Sequence, residues 1–360
     1  MSVPINVKKK IIIQISVLVA VNILNLSEIK ADDKGTGRTE QKKTGFFLQA
    51  AEQAQLCYDN FLNKNIEVTA SAKYDDTEKK IRMGLFKKNL LDTPFFTGVD
   101  LSGRLEKDER YHLKDIGTDI YGGRMLTEKI KLTLKFEAQD VTMYRIASGA
   151  PQILKDNAGN SHVNDLAFIL ERLSVNDKYY PTKGTQHKLE WDYSMEGLGS
   201  DYDFNRITWQ SCKYYTPGSF FTFAFRTKLG WVEDFGNTNE VPYFERFFVG
   251  GSSTVRGYKG KYVGPKDSQD LPLGGDFSWV NNFEMRFPLY KQLKGDYFFD
   301  AGGLWSKPDE FNLDDIKCGT GLGFRYITPW GVARLDYGIR ISRDKNESRS
   351  RLHLSFGMPF

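Results

Sequence analysis

At 360 residues the chain is long enough for two or three soluble domains or for one large barrel. A mean hydropathy of −0.47 argues against a helical membrane protein but not against a membrane barrel, whose strands alternate apolar and polar side chains. Fifty basic residues nearly balance 46 acidic ones for a net charge of +4, with no concentrated basic stripe, so nucleic acid is not an expected partner.

The chain opens with Lys8, Lys9 and Lys10 followed by an apolar run from Ile11 to Leu26. Basic residues before a moderate apolar core fit a secretory signal peptide over residues 1–31, with cleavage after Ala31. A second reading stays open. Ile13, Ile15, Val17, Val19, Val21 and Ile23 are β-branched and share one face at period two, as a first barrel strand at 11–24 would. Residues 32–43, DDKGTGRTEQKK, are polar without an apolar period and read as a linker.

From residue 44 to 360, period-two segments recur with the rhythm of barrel strands and their connections. Strands are expected at 44–57, 65–74, 79–88, 95–106, 114–124, 128–144, 164–175, 186–197, 203–215 and 219–232. After a long loop at 233–275 come 276–288, 294–304, 316–328, 331–342 and 350–360. The first is the least secure, because LQAAEQAQL favours helix. Fifteen are counted. Bacterial single-chain barrels have even numbers, so a sixteenth is expected, from 11–24 or from part of 32–43. The fold class expected is all-β, and the rhythm fits a transmembrane antiparallel β-barrel of sixteen strands.

Alternation is clearest late. Phe221, Phe223, Phe225, Leu229 and Trp231 oppose Thr222, Ala224, Arg226 and Lys228; Ala333, Leu335, Tyr337, Ile339 and Ile341 oppose Arg334, Asp336, Gly338, Arg340 and Ser342. A wide barrel would turn the charges inward, and a soluble sandwich would turn them outward; periodicity alone does not decide. Tyr214, Tyr215, Phe220, Trp231, Phe287, Tyr290, Trp305, Tyr326 and Trp330 lie near strand ends, as an interfacial girdle requires. Short turns at Pro217-Gly218 and Pro329-Trp330-Gly331, against long loops at 145–163 and 233–275, give the two-sided asymmetry of outer-membrane barrels.

No nucleophile–base set, histidine cluster or phosphate loop is recognisable, so no catalytic residue, metal or cofactor is assigned and an enzyme is not expected. Gly319-Thr-Gly-Leu-Gly323 lacks dinucleotide-binding spacing and reads as strand packing. The scattered Cys57, Cys212 and Cys318 form no disulfide framework.

The long loop carries Phe248 to Tyr258, ending Val255-Arg256-Gly257-Tyr258. Taken alone, Arg256 is a charged loop residue of the kind that normally faces water. With Tyr179 to Thr185, Phe283 to Pro288, Tyr297 to Gly302 and Arg334 to Gly338, however, this loop resembles, in order, the motifs of the BamA/TamA-type outer-membrane protein assembly family (bacterial surface antigen-type barrel domain). The resemblance covers about 165–360. It implies that the loop folds into the barrel lumen and that Arg256 meets acids on the inner wall, at the matching positions Glu284 and Asp300. It also implies that Phe356, Gly357, Met358 and Phe360 form the C-terminal β-signal read during insertion. Lipid bilayer, unfolded outer-membrane clients and an assembly complex are the implied partners, in a bacterial or organellar outer membrane.

Family members place soluble POTRA domains before the barrel, and the segment ahead of the secure strands is too short for one, so a POTRA-less barrel is expected. The function expected is insertion or translocation of proteins. The alternative is a passive pore or a structural surface barrel. An outer-membrane hydrolase is disfavoured, for want of a Ser/His/Asp set at the strand ends.

Overall fold

A computed structural model describes residues 53–61, 66–74, 78–177, 180–328, 331–342 and 348–357. Among them run fifteen strands. The first eight are β1 (Gln53–Phe61), β2 (Ile66–Tyr74), β3 (Glu78–Lys87), β4 (Phe95–Lys107), β5 (His112–Thr127), β6 (Ile130–Tyr144), β7 (Gly159–Val175) and β8 (Gly184–Ser194). The rest are β9 (Phe204–Tyr215), β10 (Thr222–Asp234), β11 (Phe277–Tyr290), β12 (Leu293–Trp305), β13 (Lys317–Thr328), β14 (Gly331–Arg340) and β15 (Ser350–Gly357). Each pairs antiparallel with its neighbours in chain order, so the sheet is a simple meander. The readings at 1–31, 11–24 and 32–43 lie outside the described residues, as does most of the strand expected at 44–57; β1 begins later, at Gln53. The loop expected at 145–163 is shorter. β7 starts at Gly159, and a five-residue helix, α1 (Gln152–Asp156), fills the connection.

Register fixes which residues share a face. On β14, Arg334, Asp336 and Arg340 are buried, while Leu335 and Tyr337 are exposed. Their partners on β13 agree: Asp336 pairs with Gly323 and Leu335 with the exposed Phe324. Arg325 and Asp336 are 1% and 0% exposed, whereas Leu322 and Leu352 are 58% and 62% exposed. The sheet is thus inverted relative to a soluble sandwich, which would bury Leu322 and solvate Asp336. A continuous exposed aliphatic face without a lipid partner would be an aggregation surface. The aromatic girdle needs correction. Tyr215, Phe220, Tyr290 and Tyr326 are exposed, but Tyr214 and Trp305 are buried at 3% each. Nearness to a strand end does not reveal the face. Tyr214 falls one residue out of phase with Tyr215 and turns to the polar side.

From β4 onward the connections alternate between shorter and longer. Two residues join β5 to β6 and β11 to β12, on the side opposite the long β10–β11 segment. That segment touches strands far apart in the sheet. Lys261 meets Glu106 of β4, Arg206 of β9 meets Glu245, and the Gly257 N–H donates to His353 of β15. One connection can reach β4, β9 and β15 only if the sheet curls around it. β1 and β15 accordingly come close, although no ladder joins them among the described residues. Within the curl, at the loop end, Tyr243 and Val241 pack with Tyr111, Leu154 of α1 and Val163 into an apolar core.

Candidate functional site

The site is built by residues 249–263. A single bridge between Val249 and Val263 closes this excursion. Val255 and Tyr258 pack with Val280 and Leu304 into a small apolar cluster that seats it on β11 and β12. Gly257 has φ +96°, a left-handed conformation that side chains resist, and this turns the chain sharply after Arg256.

The turn drives Arg256 into the polar face, where it is 1% exposed. Its Nε donates to Asp300 Oδ2 at 2.7 Å and its Nη2 to Asp300 Oδ1 at 2.8 Å, a bidentate pair. The backbone N–H of Arg256 donates to the same carboxylate at 3.0 Å, and Nη1 donates to Glu284 Oε1 at 2.8 Å. The guanidinium also lies over the Phe298 ring, 3.6 Å from its centroid. Glu284 and Asp300 alternate in phase on adjacent strands, which brings both to one guanidinium. Asn282 adds a tie, donating to Asp300 Oδ1 at 2.7 Å and to the Thr254 carbonyl at 2.6 Å.

Around this pair lie residues that sequence reasoning did not single out as partners. Arg325 of β13 donates to Glu284 at 3.1 Å and Asp296 at 3.0 Å, and also binds Asp336. Arg286 donates to the other oxygen of Glu284 at 2.8 Å. Arg334 lies 3.4 Å from Asp336. Four guanidinium groups thus face four carboxylates: Arg256, Arg286, Arg325 and Arg334 against Glu284, Asp296, Asp300 and Asp336. Interleaved opposite charge is what lets so many ions stay out of water together. The available signal was alternation on β11 to β14, which places every second residue on this face.

The rest of the motif crosses to the last strands. A side chain at Gly319 would put its Cβ 2.1 Å from the Arg256 carbonyl oxygen, and one at Gly338 would sit 2.4 Å from the Gly257 nitrogen. Gly319, from the cluster read as strand packing, and Gly338 on β14 are therefore the floor on which the loop backbone rests. Arg340 Nε donates to the Gly257 carbonyl at 2.9 Å. The Tyr258 hydroxyl donates to the Ser342 carbonyl. Gly257 N–H donates to His353 Nε2 at 3.1 Å, linking the loop directly to β15. Phe356 and Gly357 pair with Ala333 and Val332, while Met358 and Phe360 lie outside the described residues.

Residues 60–360 match the Omp85 superfamily domain. The chain belongs to the Omp85 superfamily. The outer membrane protein assembly factor BamA of Nitratidesulfovibrio vulgaris is 29% identical over 231 residues, which are 61% of this chain and 28% of that protein. A SAM50-like protein of Schizosaccharomyces pombe is 23% identical over 383 residues, spanning 95% of this chain and 80% of that one. Among solved structures, BamA from Haemophilus ducreyi lacking POTRA domains 1–3 superposes with a TM-score of 0.69 at 18% identity, covering 83% of this chain and 66% of that one. CdiB from Acinetobacter baumannii superposes at 0.57 with 11% identity, covering 83% of this chain and 55% of that one. This Omp85 chain is an outer-membrane β-barrel of the BamA/TamA type. It spans little more than a quarter of the length of the N. vulgaris relative.

Proposed function

We propose that the chain is the membrane barrel of a protein insertion or translocation factor. In this reading the connection between β10 and β11 fills the lumen, and the Val255-Arg256-Gly257-Tyr258 motif latches that plug to the wall. No chemistry on a substrate is required; clients are unfolded outer-membrane proteins, delivered within an assembly complex. Phe356 to Phe360 would be the segment by which the chain is itself recognised. Relatives bearing assembly names in bacteria and fungi support the reading. The observation that carries it is the contrast at the seam. Every other neighbouring strand pair is zipped by a ladder, yet β1 and β15 approach without one among the described residues. Free strand edges are templates for a further strand, so a client hairpin has a place to add.

The test is reconstitution of the purified chain. In planar bilayers a plugged barrel should give small, gated conductance, and in vesicles the chain should speed folding of a urea-unfolded barrel client over protein-free lipid. Large, steady conductance with no acceleration of the client would mark a passive pore or a structural barrel and overturn the proposal.

A further inference from the structure

The outward face differs between the two halves of the sheet at the end where the short turns lie. Lys87, Arg124, Arg172 and Lys213 stand at the turn ends of β3, β5, β7 and β9, each phased to the exposed apolar face. Register confirms the row. Arg124 pairs with Phe95 and Leu132, Arg172 with Ile130 and His187, and Lys213 with Thr185 and Phe225. One cation on every second strand places them about 10 Å apart, twice the strand spacing. None of the four has an acidic partner among the described residues, and the cross-strand positions between them carry no carboxylate. On β11 to β13 the corresponding outward positions are Phe287, Leu289, Tyr297, Phe324 and Tyr326, with no cation.

A cation facing hydrocarbon is costly unless its head reaches the interface, and the turn ends are where that is possible. Arg124 sits 5.6 Å from the centroid of the Phe95 ring, and Lys213 borders an open groove of about 400 Å³ with Tyr215 and Phe225. We propose that this rim, from β3 to β9, binds the phosphate headgroups of anionic phospholipids in the leaflet on the turn side. Four unpaired cations supply charge complementarity, and the flanking aromatic rings and groove take the upper acyl chain. The inference rests on the outer-membrane barrel alone, so it stands or falls independently of client insertion.

Native mass spectrometry of the full chain in detergent, titrated with phosphatidylglycerol or phosphatidylcholine, tests it. The wild type should retain phosphatidylglycerol preferentially. The quadruple variant Lys87→Gln, Arg124→Gln, Arg172→Gln and Lys213→Gln should lose that preference by about tenfold or more, since one basic residue near an anionic surface contributes about fivefold. A control replacing Lys114, Lys155 and Lys307, exposed towards the loop side, by glutamine should keep it. Equal loss in both variants would show a net-charge effect, and an unchanged quadruple variant would show no rim site; either overturns the proposal. Single substitutions, checked for the heat-modifiable mobility of a folded barrel, give the same reading if the quadruple variant fails to fold.

Discussion

Arg256→Ala should destabilise the folded barrel by about 3–5 kcal/mol, the usual consequence of removing one partner from a buried ion pair. The substitution deletes three charge-assisted hydrogen bonds, two to Asp300 and one to Glu284, and leaves both carboxylates buried. Asp300 would retain only Asn282 and the backbone N–H of residue 256. Loss of the contact over Phe298 adds to the effect. The loop should then be cleaved faster by trypsin at Arg246, Lys259, Lys261 and Lys266. Because the arginine and Asp300 act as one unit, Arg256→Ala with Asp300→Ala should be little worse than Arg256→Ala alone. Urea unfolding of the vesicle-bound protein, followed by heat-modifiable gel mobility, reads all three variants; fully additive effects would show that no latch exists.

Glu284→Gln should be at least as damaging, although it changes almost no volume. Its two oxygens accept from Arg256, Arg325 and Arg286. The amide replaces one acceptor oxygen by a donor that points at a donor. It also leaves Arg256, Arg286, Arg325 and Arg334 facing only three carboxylates. An uncompensated buried positive charge again costs about 3–5 kcal/mol. The sign of the imbalance gives a sharper expectation. Arg256→Ala leaves one excess negative charge and Glu284→Gln one excess positive, so the double variant restores neutrality. It should be clearly more stable than the sum of the single losses by the same urea assay. If the double variant equals that sum, the network is not held by charge balance.

The sequence carried the strands and hid the partners. β9 to β14 match the segments expected from alternation within a few residues, because polar and apolar side chains alternate over ten or more positions there. Alternation could not say whether Arg334 and Asp336 face water or interior. Their burial beside exposed Leu335 and Tyr337 decides that. Glu284 and Asp300 were named only through family resemblance, as were Val255 to Tyr258. Asp296, Arg286, Arg325 and His353 share their face, yet nothing in a single strand tells which polar residue will lie under a loop from elsewhere. That depends on cross-strand register, which sets Asp296 beside Gly323 and Asp336 beside Gly323 on the other side. Gly319 was legible as part of a glycine cluster but not as a floor, since the backbone above it comes from Arg256, some sixty positions earlier. Tyr214 and Trp305 were misplaced because proximity to a strand end fixes depth and not facing.

The seam between β1 and β15 offers the most direct test of the account. Cys57 lies in β1, and β15 runs from Ser350 to Gly357. In a background with Cys212→Ser and Cys318→Ser, single cysteines introduced from Ser350 to Phe356 scan for positions that crosslink to Cys57. A locked seam should leave the barrel folded and cut client insertion in reconstituted vesicles by about tenfold or more, with full recovery on reduction; that corresponds to about 1.4 kcal/mol in the barrier. A locked barrel that inserts clients at the unlocked rate would contradict the account.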